Sequence, residues 1–366
     1  MINVDELLKI MVDKGASDMH LRVPSPPVLR IDGELVPQDD MPPGTAKDIE
    51  LVLEHITSPQ QRSVFLKEMD LDFAHSVTGL ARFRVNAMRQ RGTISLCFRM
   101  VPFEVPSIDQ LGLPQIYKEL ILKAKGLILV TSPSGSGKST TIAAMIDHLN
   151  ESSKRNIIII ENPIEFLHKN KQCLIAQRDL GDDTKSLDIA LTQSLRHDPD
   201  VIVISRLRDL PTVATAIRAA ETGHLVLAAV QTADATQTVE HLIDIFPPPL
   251  QQQARLQLSQ TILAISSQVL LSKAKGKGRV AAFEIMIANP EIRNLIREGK
   301  FSELNKVIQL NGGGGMQTME QAMAALVNNG TVTPEESLVS SSHPEKLKEL
   351  LPPATAKNKR SRRGGK

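Results

Sequence analysis

Residues Leu127 to Thr140 read LILVTSPSGSGKST, and their types and spacing suit one kind of chemistry, the grip of a polyphosphate. Gly135 and Gly137 allow a turn whose backbone N–H groups converge on phosphate oxygens, and a helix opening at Lys138 adds the positive potential of its N-terminus. Lys138 is placed to reach the β- and γ-phosphates and Ser139 to ligate Mg²⁺. With Ser134, Ser136 and Thr140 they form the candidate nucleotide site, and ATP and Mg²⁺ are the expected cofactors. An apolar strand before the loop and a helix through Ile142 to Leu149 after it supply the context this motif requires. One position departs from GxxxxGK[ST]: Ser132 stands where the pattern has glycine. If that position needs positive φ, a serine there costs on the order of 1 kcal/mol.

Such a loop needs a sheet to carry it. Apolar runs at Leu127 to Thr131, Ile157 to Ile160, Val201 to Ile204 and Leu225 to Ala229 alternate with longer helical stretches, as strands buried on both faces of a parallel sheet do. This predicts a wound α/β domain over residues 115–288. Ahead of it, residues 102–114 hold Pro102, Pro106, Gly112 and Pro114 and read as a linker. Residues 1–101 read as an α+β domain, with a helix over 3 to 13, a hairpin turning at Asp32-Gly33, and strands at Leu80 to Val85 and Thr93 to Met100. Residues 289–351 read as a helical region, with a breaker at Gly312 to Gly315 and a capping-box start at Thr333-Pro334-Glu335-Glu336. Residues 352–366 carry six Lys or Arg and no acid, a disordered basic arm; the rest has 37 basic and 41 acidic side chains, so no specific nucleic-acid partner is expected.

The chain of 366 residues is 41% apolar but only 3% aromatic, with no Trp, so its core is expected to be aliphatic. No apolar run approaches the roughly 18 residues of a spanning helix, and Asp5 and Glu6 stand where a signal peptide carries basic residues. Cys97 and Cys173 stand alone, without CxxC or a Cys/His cluster, so neither a disulfide framework nor a zinc site is indicated, and a reducing cytosol fits.

Further segments extend the pattern: GASDMHLRV (Gly15 to Val23), ARFRVNA (Ala81 to Ala87), IENPIEF (Ile160 to Phe166), HDPDVIVI (His197 to Ile204), AAETGHLV (Ala219 to Val226), GRVAAFEIMIANPEIRNLIREGK (Gly278 to Lys300) and GMQTMEQA (Gly315 to Ala322). In this order they resemble the secretion/pilus ATPase superfamily and, within it, the type IV pilus retraction ATPases of the PilT/PilU group. The resemblance implies a PAS-like N-terminal domain and a RecA-like P-loop domain with a helical appendage. It implies a homo-hexamer, or a mixed ring with a paralogous retraction ATPase, at the cytoplasmic base of a pilus machine. There it would work against an inner-membrane platform protein. Ile292, Arg293, Asn294, Leu295, Ile296, Arg297 and Glu298 match the group's retraction motif. As residues alone they read as an amphipathic helix, with Ile292, Leu295 and Ile296 on one face and Arg293, Arg297 and Glu298 on the other.

Against that family the chemistry is altered. The glutamate that serves as base for the attacking water is Arg206 here, and an arginine accepts no proton. A positioned base is worth roughly 10²–10⁴-fold. Asn162 replaces an aspartate of the acidic box, Gln231 the second histidine of the γ-phosphate-sensing pair in which His224 survives, and His241 an arginine expected to act across the subunit boundary. Arginines in that role contribute about 10³–10⁵-fold. Glu161 and Glu165 survive as candidate bases. Binding of ATP with weak or lost hydrolysis, in support of an active paralogue, is the reading these departures favour. The alternatives are a working motor whose base is Glu165 or Glu161, and a pilus-unrelated regulator acting through the basic arm. His20 reads equally as a hydrogen-bonded core or interface residue or as a functional one, and Arg82, Arg84 and Arg99, at period two, face either nucleotide or neighbour or form a solvated sheet face.

Overall fold

The computed structural model describes residues 2–351 except Phe103, Ser134 and Lys277, so the basic arm at 352–366 and the expected ligand Ser134 lie outside the described residues. Two compact units share the chain. The first gathers the residues up to Val105 with Ile160–Lys169 and Gln177–Ala190; the second gathers Pro106–Ile159, Asn170–Ala176 and the described residues from Leu191 onward.

The first unit begins with α1 (Val4–Asp13), β1 (Asp18–Leu21), β2 (Val28–Ile31), β3 (Glu34–Pro37), α2 (Ala46–Ile56), α3 (Pro59–Glu68), β4 (Asp70–Val77), β5 (Ala81–Gln90) and β6 (Thr93–Val101). Its strands form an antiparallel sheet in the order β3-β2-β1-β6-β5-β4. Asn3, Thr45 and Ser58 cap the three helices through their side chains. The β2–β3 turn places Asp32 at φ 50° and Gly33 at φ 90°, the doubly positive pair that a two-residue hairpin demands. Strict alternation along β5 buries Ala81, Phe83, Val85 and Ala87 on one face, against Leu8 and Met11 of α1 and Ile49 and Leu53 of α2.

Further along the chain come α4 (Ile116–Leu120), β7 (Gly126–Thr131), α5 (Lys138–Ser152), β8 (Asn156–Glu161), β9 (Leu174–Asp179), α6 (Leu187–Ser194), β10 (Val201–Ile204), α7 (Leu210–Glu221), β11 (Leu225–Val230), α8 (Ala235–Asp244), α9 (Pro248–Thr261), β12 (Ile262–Ser272) and β13 (Arg279–Ile287). The second sheet has the order β13-β12-β7-β11-β10-β8-β9. β12, β7, β11 and β10 run parallel and β13 antiparallel to β12. Every residue of β7, β10 and β11 is buried, as the apolar runs predict. Ile142, Met145, Ile146 and Leu149 of α5 join the core built on Ile128, Val130, Ile157 and Ile159.

The chain closes with α10 (Pro290–Glu298), α11 (Leu304–Leu310), α12 (Met319–Asn328), α13 (Pro334–Ser340) and α14 (Pro344–Leu350). Met319, Met323, Val332 and Leu347 pack with Leu271 and Ala282 of the β12–β13 hairpin. The capping box expected at Thr333 forms by half. Thr333 accepts from the Glu336 N–H, but the Glu336 carboxylate accepts from the Ser272 N–H instead of closing the reciprocal bond.

Candidate functional site

The phosphate loop leaves β7 at Thr131 and enters α5 at Lys138. Gly135 lies at φ 77° and Gly137, the residue before the helix, at φ 83°, both left-handed as a tight anion-binding turn requires. A Cβ at Gly135 would meet nothing within 4 Å, so this side of the loop is open. Ser132 is fully buried and is not among the residues at positive φ, so the serine carries none of the strain that would attend a left-handed position. Its hydroxyl instead accepts from Lys138 Nζ at 2.9 Å, and the Lys138 ammonium also donates to the carbonyls of Ser132 (2.6 Å) and Pro133 (3.1 Å). Ser136, Lys138, Ser139 and Thr140 are half-buried. Ser139 and Thr140 sit in the first turn of α5, where backbone N–H groups have no partner within the helix.

Along the same sheet edge, β11 neighbours β7 and β10 neighbours β11, so the residues that follow these strands share the end at which the loop sits. Gln231 follows β11 and Arg206 lies two residues beyond β10. The two exposed side chains bond each other, Arg206 Nη2 donating to Gln231 Oε1. Two substituted family positions therefore form one unit. His224 is elsewhere. It precedes β11, so a strand of about 20 Å separates it from Gln231. There the His224 N–H donates to the Ala219 carbonyl at 3.1 Å, closing the end of α7, with its Nδ1 2.9 Å from the same oxygen. The structure does not bring the surviving histidine to the loop. His241 is an exposed residue of α8.

Glu161 is the last residue of β8 and Glu165 lies in the segment beyond it, past the exposed Asn162. Burial pushes the Glu161 carboxyl up to about 7, with the nearby charges of Glu165 and Asp179 adding to the rise and a 3.1 Å hydrogen bond from Gln177 Nε2 opposing it. Glu165 is exposed. In the same unit three arginines of the N-terminal sheet face an acid: Arg82 Nη2 is 3.0 Å from Asp179, Arg84 3.7 Å from Asp72 and Arg99 2.7 Å from Asp18. Burial raises the Asp179 carboxyl even beside Arg82. His20 sits within β1 with both ring nitrogens buried and unbonded.

The motif at 292–298 forms α10, begun by Asn289, whose side chain accepts from the Ile292 N–H, and ended by Gly299 at φ 76°. Ile292, Leu295 and Ile296 are buried, while Asn294, Arg297 and Glu298 link among themselves on the outside. Arg293 is not a free surface charge. It donates to the carbonyls of Ser259 (2.6 Å) and Gln260 (2.9 Å) in the last turn of α9, where a cation complements the helix dipole. The sequence reading did not single out Gln268 of β12, which is buried against the phosphate loop; the visible signal was a polar Ser266-Ser267-Gln268 run inside an apolar strand.

A Gly-rich loop between a central strand and a helix N-terminus, on a sheet whose neighbouring strands carry polar residues at the same end, defines a P-loop nucleotide-binding ATPase fold. The chain belongs to the type II/IV secretion system protein family, whose model matches residues 69–277, and within it to the PilT/PilU group. It is 41% identical over 344 residues to the type IV pilus retraction ATPase PilT of Pseudomonas aeruginosa, covering 94% of this chain and 99% of that protein. It is 36% identical over 347 residues to the type IV pilus ATPase PilU of the same organism, covering 95% of this chain and 91% of that protein. The crystal structure of the pilus retraction motor PilT with bound ADP superposes at a TM-score of 0.89 with 42% identity, covering 95% of this chain and all of that one. The chain therefore has the mixed α/β fold of that motor, an N-terminal domain followed by a RecA-like ATPase domain. No helix among the described residues is long and apolar enough to cross a membrane.

Proposed function

We propose that this chain is a PilT/PilU-like subunit of a type IV pilus retraction machine serving twitching motility. In this reading it binds ATP at residues 134–140, hydrolyses it weakly, and supports an active paralogue. The observation that carries the reading is the Arg206–Gln231 bond. The position that supplies a proton acceptor elsewhere in the family holds a permanent cation, and that cation occupies the carbonyl of the residue standing in for the sensing histidine. The binding half of the site keeps its glycine turn, Lys138 and Ser139. No group of three or more His, Cys, Asp or Glu side chains among the described residues could hold a metal on its own. Mg²⁺ would therefore be held through Ser139 and the nucleotide's phosphates, as this small cation commonly is, supplying charge neutralisation there. The reading includes a cytoplasmic homo-hexamer or mixed ring, the inner-membrane platform as its load, and the outward residues Asn294, Arg297 and Glu298 of α10 as the retraction motif's exposed part.

One observation favours an active motor: the Glu161 carboxyl, pushed up to about 7, has the proton affinity of a general base. Equilibrium binding of a fluorescent ATP analogue with Mg²⁺, paired with steady-state phosphate release, separates the two. The proposal expects analogue binding that Lys138→Ala abolishes, slow release, and a gain of about 10²-fold or more in Arg206→Glu/Gln231→His. Release at an ordinary motor's rate in the unaltered protein, abolished by Glu161→Gln or Glu165→Ala, overturns it in favour of the motor.

A further inference from the structure

Gln268 is buried on β12 and held from two sides. Its Nε2 donates to the Ser136 carbonyl at 2.6 Å, and its Oε1 accepts from Thr141 Oγ1 at 2.7 Å. A carbonyl only accepts, so the amide nitrogen must be the atom that faces Ser136, and the Thr141 hydroxyl supplies the proton that the other end needs. In a planar trans peptide the C=O and the following N–H point in opposite directions. Drawing the Ser136 carbonyl toward β12 therefore turns the Gly137 N–H away from β12. Gly137 is required by its φ of 83°, and a Cβ there would also crowd the Gln268 amide, at 2.9 Å from its Nε2. The preceding β12 residue grips the start of the loop, with Thr131 Oγ1 donating to Ser267 Oγ at 3.0 Å. Strand β12 thus holds the loop at its entry, its centre and the first turn of α5.

We infer that Gln268 is a positioning residue of the phosphate site: by orienting the Ser136–Gly137 peptide it aims an N–H donor at the β- and γ-phosphates of a nucleoside triphosphate. Gln268 touches no phosphate itself and acts only through the loop. The inference rests on the reading of residues 134–140 as a nucleotide loop.

The test uses the full chain and three variants. Gln268→Met keeps length and volume but has neither donor nor acceptor; Thr141→Val removes the hydroxyl that fixes the amide's orientation. Ser266→Ala deletes a buried hydrogen bond of the same strand, that with the Tyr117 hydroxyl, and touches no residue of the loop. The readouts are the dissociation constant of a fluorescent ATP analogue with Mg²⁺, its displacement by inorganic pyrophosphate, which has no base or sugar, and the melting temperature without nucleotide. Gln268→Met is expected to weaken both binding measures about tenfold, the equivalent of one well-placed hydrogen bond, and Thr141→Val about threefold. Ser266→Ala should change them less than twofold, although each variant leaves a buried partner unbonded and lowers the melting temperature by a similar amount, roughly a few degrees. If Gln268→Met does not fold, Thr141→Val decides. Unaltered affinity in the folded Gln268 and Thr141 variants, or an equal loss in Ser266→Ala, overturns the inference and leaves Gln268 a packing residue. Absence of analogue binding in the unaltered protein overturns the nucleotide reading and this inference with it.

Discussion

Glu284→Gln provides a pH-dependent test of the electrostatics behind the site. Glu284, on β13 and 2% exposed, accepts from the Ala235 N–H at 2.7 Å and from the backbone N–H of Met319, so one carboxyl serves the first residues of α8 and α12. Burial pushes it from 4.5 up to about 7; the two N–H bonds oppose that rise, and the carboxylates of Asp234 and Glu320 add to it. The folded protein therefore holds this proton to higher pH than the unfolded chain. The stabilisation linked to it is complete below about pH 4.5 and is lost as pH climbs through about 7. At about 1.4 kcal/mol per pH unit the separation of the two values sets a ceiling of about 3 kcal/mol on that loss. Gln carries no charge at any pH; its oxygen still serves Ala235, while its NH2 cannot accept from Met319, which adds a cost of about 1 kcal/mol that does not vary with pH. Relative to the unaltered protein the variant should therefore gain about 2 kcal/mol between pH 5 and pH 8, ending the more stable of the two. Urea midpoints, with slopes checked for constancy, measure the difference across that range. A difference that does not vary with pH, or a variant less stable at the alkaline end, would refute the reasoning. The consequence reaches the site, because α8 begins four residues after Gln231.

Two further outcomes are expected. Gly137→Ala should markedly reduce the stabilisation of the protein by added ATP, because alanine must occupy φ 83° at about 1 kcal/mol or more and crowd the Gln268 amide; an undiminished shift in melting temperature with ATP would contradict the loop geometry. Leu295→Ala on the inner face of α10 should lower unfolding free energy by about 3 kcal/mol and Arg297→Ala on the outer face by under about 0.5, measured by urea titration; equal effects would mean the buried and exposed faces are misassigned.

The phosphate loop was legible because its residues are consecutive and each has a distinct job, and β7, β10 and β11 because burial on both faces leaves nothing but apolar residues. Strand β12 was not, since Ser266, Ser267 and Gln268 interrupt its run. Their polar groups find partners at Tyr117, Thr131, Ser136 and Thr141, all far away along the chain. The same distance hid the acid opposite each N-terminal arginine: Asp179 for Arg82 and Asp18 for Arg99 are visible only after folding. Ser132 turned on a dihedral angle that residue type does not specify. His224 and Gln231, grouped by family pattern, are parted by the length of β11, a separation that follows once the intervening residues are known to be extended.

Strand β12 begins at Ile262, the residue after α9 ends at Thr261, with no loop between them, and Arg293 ties α10 to the carbonyls at that same junction. Mechanically this is a joint without slack. A displacement of the α9–α10 pair is delivered straight along the strand that grips the phosphate loop. On its other side β12 ends at Ser272, and the next residues are tied as well, the Lys273 N–H to the Gly278 carbonyl and the Ala274 N–H to the Thr331 carbonyl. A load on the helix pair therefore meets no intervening loop before it reaches Ser266, Ser267 and Gln268.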